Sequence, residues 1–375
     1  MTENLIPALF MRGGTSKGLF FHASDLPTDP KELDRVLLAA IGSPDPYGRQ
    51  LNGMGGGISS ISKAAIIGPS THPDADVDYV RAQVAINQAV VDYRGNCGNL
   101  AAAVGPFAVE QGLCARDDGE VVVRMHVKST GTIIHNRFLM RDGKPELSGN
   151  FAIPGVGGTG ARIQLDFMAP GGTLTGRLLP TGNPTDEIFD PELGNIRLSL
   201  VDAANPAVFL NAADLGLTGI ESPDELETRP GLMQHLDRIR RQAGVMMGLA
   251  DKPETVGLSN PKIAMVTPSQ DFKTLSGTVV EAANHDVIVR MLSGGRVHRA
   301  VPLTGAMCLS VACQITGTIP NEVATLGARP EEVRVGNPSG TLALGAKVVF
   351  RDVWIAESAV VFRTARKLMQ GVVTV

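Results

Sequence analysis

Apolar positions change period several times along this chain, and each change marks an element. Residues 6–22, IPALFMRGGTSKGLFFH, carry two apolar runs around a glycine turn, which predicts a β-hairpin with strands at 7–11 and 18–22. In DPKELDRVLLAAIG, 29–42, the residues Leu33, Val36, Leu37 and Ala40 recur at helical spacing. They follow Asp29 and Pro30, an N-cap with proline in the first turn. A glycine- and serine-rich loop at 52–68, NGMGGGISSISKAAIIG, runs into a short apolar strand, and 77–93 alternates as strands do. A helix is predicted over 99–113, then strands over 120–127, 131–140 and 161–168.

The stretch LLPTGNPTD, 178–186, has the turn-forming composition of a boundary. Strand and helix signals recur after it: a helix over 230–249 and strands over 262–268, 286–292 and 347–355. CGNLAAAV, 97–104, and TGAMCLSV, 304–311, share a pattern of a small reactive-type residue, a glycine and an apolar helix of small residues. Each lies after several strands in its half. The pattern predicts two related α/β domains, each with a helix whose N-terminus is marked by glycine.

Length supports that division, because 375 residues exceed one ordinary core. The 43 glycines and only 4% aromatics suggest tight turns and loops in which backbone contacts a ligand. A net charge of −4, without a basic stripe, argues against nucleic acid as a partner. No apolar run reaches the roughly 18 residues of a membrane span, and the N-terminus lacks a leader pattern. Cys97, Cys114, Cys308 and Cys313 form no metal-like spacing, which fits a reduced cytoplasmic protein without structural disulfides.

One cysteine stands out. Cys97 lies in GNCGN, 95–99, on a polar turn just ahead of an apolar helix. The first N–H groups of such a helix are unpaired, so a thiol there has its thiolate stabilised. Two such N-termini facing each other across a cleft would hold a small anion with several carboxylates, the cysteine acting as proton carrier. The plainer alternative is a loop cysteine preceding a closely packed helix.

The motifs MRGGTSKG (11–18), GSPDPYGRQ (42–50), GMGG with SSISK (53–63), GNCGN, PTGN (180–183), HRAVPLTGAM (298–307) and GNPSGT (336–341) occur in this order. In them the chain resembles the methylaconitate isomerase, methylitaconate Δ-isomerase and 4-oxalomesaconate tautomerase family, over nearly its whole length. The resemblance implies an α+β fold of two pseudo-symmetric, diaminopimelate epimerase-like domains, each a curled sheet around a central helix. It places the active site between them. The domains would span 1–184 and 185–354, with about 355–375 packing back on the first.

By the same resemblance Cys97 and Lys63 are the acid/base pair, and no metal or organic cofactor is required. The lysine would need its pKa lowered by burial or a neighbouring cation. Substrate carboxylates would be cradled by Gly13, Gly14, Thr15 and Ser16, with Lys17 a further candidate. Gly55, Gly56, Ser59, Ser60, Gly98 and Asn99 would join them. The second half would contribute His298, Thr304, Gly305, Ala306, Met307, Ser339 and Gly340. Thr304 stands where the epimerases carry a second cysteine, which disfavours racemase chemistry. Asn52 stands where relatives commonly have an acid, which opens the choice of substrate.

The expected activity is a double-bond shift by allylic proton transfer, or a cis–trans isomerisation, in an acid such as methylaconitate, aconitate or methylitaconate. Tautomerisation of 4-oxalomesaconate is an alternative, and a non-catalytic tricarboxylate-binding accessory protein of a dehydratase is another. The implied partner is a small polycarboxylate. Glycine-rich sheets with few charged edges are compatible with a homodimer.

Overall fold

The computed structural model describes residues 4–94, 97–327 and 331–375. The chain is mixed α+β and sheet-dominated, and it forms two compact units, Met1–Met168 with Phe362–Val375, and Ala169–Val361. Among the described residues no helix is long and apolar enough to cross a membrane.

In the first unit, strands β1 (Leu5–Gly13) and β2 (Ser16–His22) form the expected hairpin, longer at the turn than the apolar runs suggested. Gly14, with φ 53°, takes the first central position of a two-residue turn, where the strand twist calls for a positive φ. β2 runs parallel to β3 (Lys63–Pro69), which pairs antiparallel with β4 (Val77–Val84). A second hairpin joins β5 (Gly119–Val127) to β6 (Thr132–Arg141), and β7 (Ile163–Met168) pairs with β6. The C-terminal strand Ala365–Thr374 pairs antiparallel with β1.

Strand alternation assigns the two faces of this sheet. Leu19 and Phe21 of β2, with Ala64 of β3, pack with Val36, Leu37, Ala40 and Ile41 of helix α1 (Pro30–Ile41). Phe20 points the other way and meets Phe107 with ring centroids 5.7 Å apart. That second face holds helices α2 (Gly98–Ala101) and α3 (Val104–Glu110), buried throughout 100–108. A single helix over 99–113 was expected. It is interrupted because Pro106 lacks an N–H for the carbonyl of Ala102 and crowds it. Asn136 Nδ2 instead donates to the carbonyls of Ala101 and Ala102, at 2.9 and 3.3 Å.

The second unit repeats this order. Its hairpin joins β8 (Gly194–Ala203) to β9 (Asn205–Asn211), and β9 runs parallel to β10 (Lys262–Pro268). β10 pairs antiparallel with β11 (Val287–Ser293), which runs parallel to β12 (Glu332–Asn337). Amphipathic α4 (Leu232–Met246) covers one face through Leu232, Leu236, Ile239 and Ala243, against Val208, Leu210, Ile263 and Met265. Helix α5 (Leu303–Ala312) is buried from Gly305 onward. The predicted strand over 347–355 is in fact a hairpin, Gly340–Arg351 and Val353–Arg363, turning at Asp352 with φ 63°.

Candidate active site

Three residues from separate elements meet where β2, β3 and α2 begin. Lys63 Nζ lies 3.4 Å from Cys97 Sγ and 3.3 Å from Ser16 Oγ, and Sγ lies 3.8 Å from the same hydroxyl. The alternation that sends Phe20 toward α3 sends Ser16 to the same face, and Lys63 opens β3 on that face. Cys97 is the N-cap of α2, so it is presented by a turn rather than packed in an apolar core. Gly95 and Asn96 of the same motif lie outside the described residues.

The electrostatics favour the thiolate. Burial is the largest single influence on Cys97 and by itself raises its pKa. The Lys63 charge, the N–H of Leu100 in the first turn, the Ser16 hydroxyl and the Lys63 hydrogen bond together outweigh it, leaving the pKa below that of an ordinary thiol. By contrast, burial holds Cys308 and Cys313 protonated and also raises Cys114.

The hairpin glycines have a tight steric reason to be glycine. A Cβ on Gly13 would lie 2.5 Å from the Asn99 carbonyl oxygen, and one on Gly14 would lie 2.3 Å from Asn99 Oδ1. Thr15, exposed at the turn, donates its N–H to Asn99 Oδ1 at 3.4 Å. Asn99 and Gly98 thus sit beside the thiol with the hairpin against them. Lys17 projects to the opposite face of β2, its Nζ 5.5 Å from the Phe10 ring centroid, away from the Ser16 side. The expected Lys17 contact with the cradle is therefore not made.

In the loop before Lys63, the donors expected of Gly55 and Gly56 are already spent. Gly55 N–H donates to Ile41 O at 3.0 Å, and Gly56 N–H to Gln50 Oε1 at 3.1 Å. Gln50, 1% exposed, also accepts from Gly57 N–H and the Ser62 hydroxyl, and so organises the whole loop. These glycines hold the loop rather than offer free N–H groups. Ser59 and Ser60 occupy a single 3₁₀ turn leading to Lys63, and Asn52 is exposed.

In the second unit, α5 begins at Leu303 behind Pro302, two residues before its glycine. Thr304 therefore lies exposed inside the first turn and is not an N-cap as Cys97 is. Ala306 N–H donates to Pro302 O at 2.8 Å, and the Ala306 and Met307 side chains are core. This removes both from the residues able to contact a ligand by side chain. His298 is half-buried, and Ser339 Oγ donates to the neighbouring Arg299 carbonyl at 2.7 Å. Gly340, with φ 126°, follows Ser339 in the turn and accepts from Asn337 Nδ2.

Residues 3–375 match the family model described as PrpF protein. The chain belongs to the PrpF protein family. It is 40% identical to the 3-methylitaconate isomerase of Eubacterium barkeri, across 99% of this chain and 97% of that protein. It is 39% identical to the 2-methyl-aconitate isomerase of Cupriavidus necator, again across 99% and 97%. The crystal structure of a methylitaconate-delta-isomerase superposes with a TM-score of 0.94 at 39% identity, covering 100% of this chain and 96% of that one.

Three features of this PrpF chain were missed in its sequence. Arg363 is 7% exposed, donates Nε to Asn99 Oδ1 at 3.0 Å, and lies within electrostatic reach of Cys97. Burial lowers its pKa to about 10, so it is a cation at neutral pH beside the thiol. Gln50 is the second. The third, Lys262, opens β10 as Lys63 opens β3. A lysine heading an apolar strand in both halves was the available signal.

Proposed function

We propose that this PrpF protein is an isomerase of unsaturated di- or tricarboxylates that moves a C=C bond by passing a proton through Cys97 and Lys63. The observation that carries this reading is the 3.4 Å contact between Nζ and Sγ, with the thiol made more acidic by the ammonium. The Cys97 thiolate removes an allylic proton, and the electron pair delocalises toward the conjugated carboxylate. The Lys63 ammonium protonates the far allylic carbon, leaving a thiol and an amine. Transfer of the thiol proton across the contact restores the starting pair, so the cycle balances without an outside acid.

Both groups act from one side, which suits delivery to the same face of a three-carbon allyl unit. Arg363 and the backbone at Gly98 and Asn99 supply positive potential near the thiol, where negative charge develops. General acid–base catalysis of this kind contributes roughly 10²–10⁴-fold. Methylitaconate, 2-methylaconitate, aconitate and 4-oxalomesaconate are the acids to try.

Proton NMR in heavy water with each acid tests the reading. Deuterium entering one acid as its double bond moves, and neither event with Cys97→Ser or Lys63→Ala, is the expected result. Isomerisation that persists in both variants would overturn it.

A further inference from the structure

We propose that Lys262 is the anchor of a carboxylate-binding subsite in the second unit. For its ligand class, this rests on the isomerase reading above. The case begins with register. In the first unit the hairpin closes at Ser16, and Leu19 pairs with Ala64, so Gly18, two residues past the closing pair, stands beside Lys63. A Cβ on Gly18 would lie 2.2 Å from the Lys63 carbonyl oxygen, which confirms the neighbourhood. In the second unit the hairpin closes at Asn205, and Ala207, again two residues on, pairs with Lys262.

The facing agrees as well. Ala64 belongs to the cluster under α1, and Ile263 to the cluster under α4. Alternation then turns each preceding lysine toward the buried helix of its own unit. The frame around them also repeats. Asp76 N–H donates to the Arg124 carbonyl, Arg124 N–H donates back to the Asp76 carboxylate, and the side chains form an ion pair; Asp286 and Arg334 do the same. Val77 pairs in parallel with Met125, and Val287 with Val335.

The two lysines differ in what answers their charge. Lys63 has Cys97 and Ser16. Among the described residues Lys262 forms no hydrogen bond or ion pair, and no carboxylate acts on it; its ionisable neighbours are Cys308 and His298. Cys308 is fully buried, faces the Val201 carbonyl and is held protonated by burial, so it supplies no anion. Burial first, and then the Lys262 charge, lower the pKa of His298, so it adds no second cation at neutral pH. A Cβ on Gly305 would lie 2.2 Å from Met291 Sδ, so this glycine makes room for the methionine, and the Lys262 stem passes it at ordinary contact distance, 3.5 Å to Cδ. A half-buried ammonium without a counter-charge has lost hydration with nothing in return, and an arriving carboxylate supplies the missing partner.

Calorimetric titration of the full-length protein with tricarballylate, a saturated tricarboxylate that cannot isomerise, tests this. Lys262→Met should weaken binding roughly 10- to 100-fold, the scale of one charged hydrogen bond. Lys262→Arg should restore most of the affinity, and thermal midpoints should show that both variants fold. Lys262→Gln replaces the methionine variant if that one unfolds. Unchanged affinity without the positive charge would overturn the proposal, as would failure of the wild type to bind. Charge-dependent binding by a wild type that isomerises no acid would leave the subsite standing and remove the isomerase reading.

Discussion

The two units offer two versions of one frame, a strand-opening lysine facing a buried helix. In the first unit the helix starts at a cysteine whose thiol meets the lysine, and the pair can exchange a proton. In the second the helix starts two residues before its glycine, Thr304 is exposed, and the nearby thiol, Cys308, is sealed in the core. On the proposed reading, one frame gives acid–base chemistry in one half and, among the described residues, an ammonium without a counter-charge in the other. What separates them is where the thiol falls along the helix. At the N-cap it is presented and acidified; one turn inside, burial suppresses ionisation.

The largest effect that would sharpen this contrast is on rate. Cys97→Ser and Lys63→Ala should each lower turnover by roughly 10²–10⁴-fold, while Thr304→Ala should leave it within a few-fold, measured by NMR on the same acid. Equal losses at both helix starts would break the contrast. Next comes Gly14→Ala. Its positive φ and the 2.3 Å approach to Asn99 Oδ1 should cost about 2 kcal/mol or more in denaturant unfolding. Gly112→Ala, also at positive φ but with open space around it, should cost less. Thiol chemistry gives a third comparison: alkylating agents should label Cys97 in the folded protein and Cys308 only after unfolding. Smallest of all, Lys17→Ala should leave turnover within about twofold, because its ammonium lies over Phe10 on the α1 side.

Much of this frame was legible in the sequence, for identifiable reasons. The hairpin turn, the capped α1 and the amphipathic α4 are local signals, set by residues within a turn or two of one another. Cys97 could be singled out because polar neighbours made a core role improbable. Lys63 was not legible from its apolar flanks alone; resemblance singled it out. Arg363 reaches Asn99 from 264 positions away, and Gln50 gathers its loop by hydrogen bonds that no periodicity encodes. Glycines misled in one respect. Composition shows that backbone is exposed to close approach, but not whether its N–H groups are already committed, as those of Gly55 and Gly56 are.

Lys63 acidifying Cys97 is the link on which the proton shuttle stands, and the pH profile of Cys97 alkylation, read on the Cys97 peptide by mass spectrometry, measures it. The thiolate is the reactive form, so labelling rises with pH through the folded pKa. In the wild type the midpoint should fall below the ordinary thiol value of about 8.5. The same shift stabilises the fold above that unfolded value, an increment that fades as pH drops through the lowered folded one. Lys63→Met removes the strongest influence favouring the thiolate and should move the midpoint upward, past the wild type, as burial takes over. A midpoint that is the same with and without Lys63 would contradict the pairing, and with it the proton shuttle.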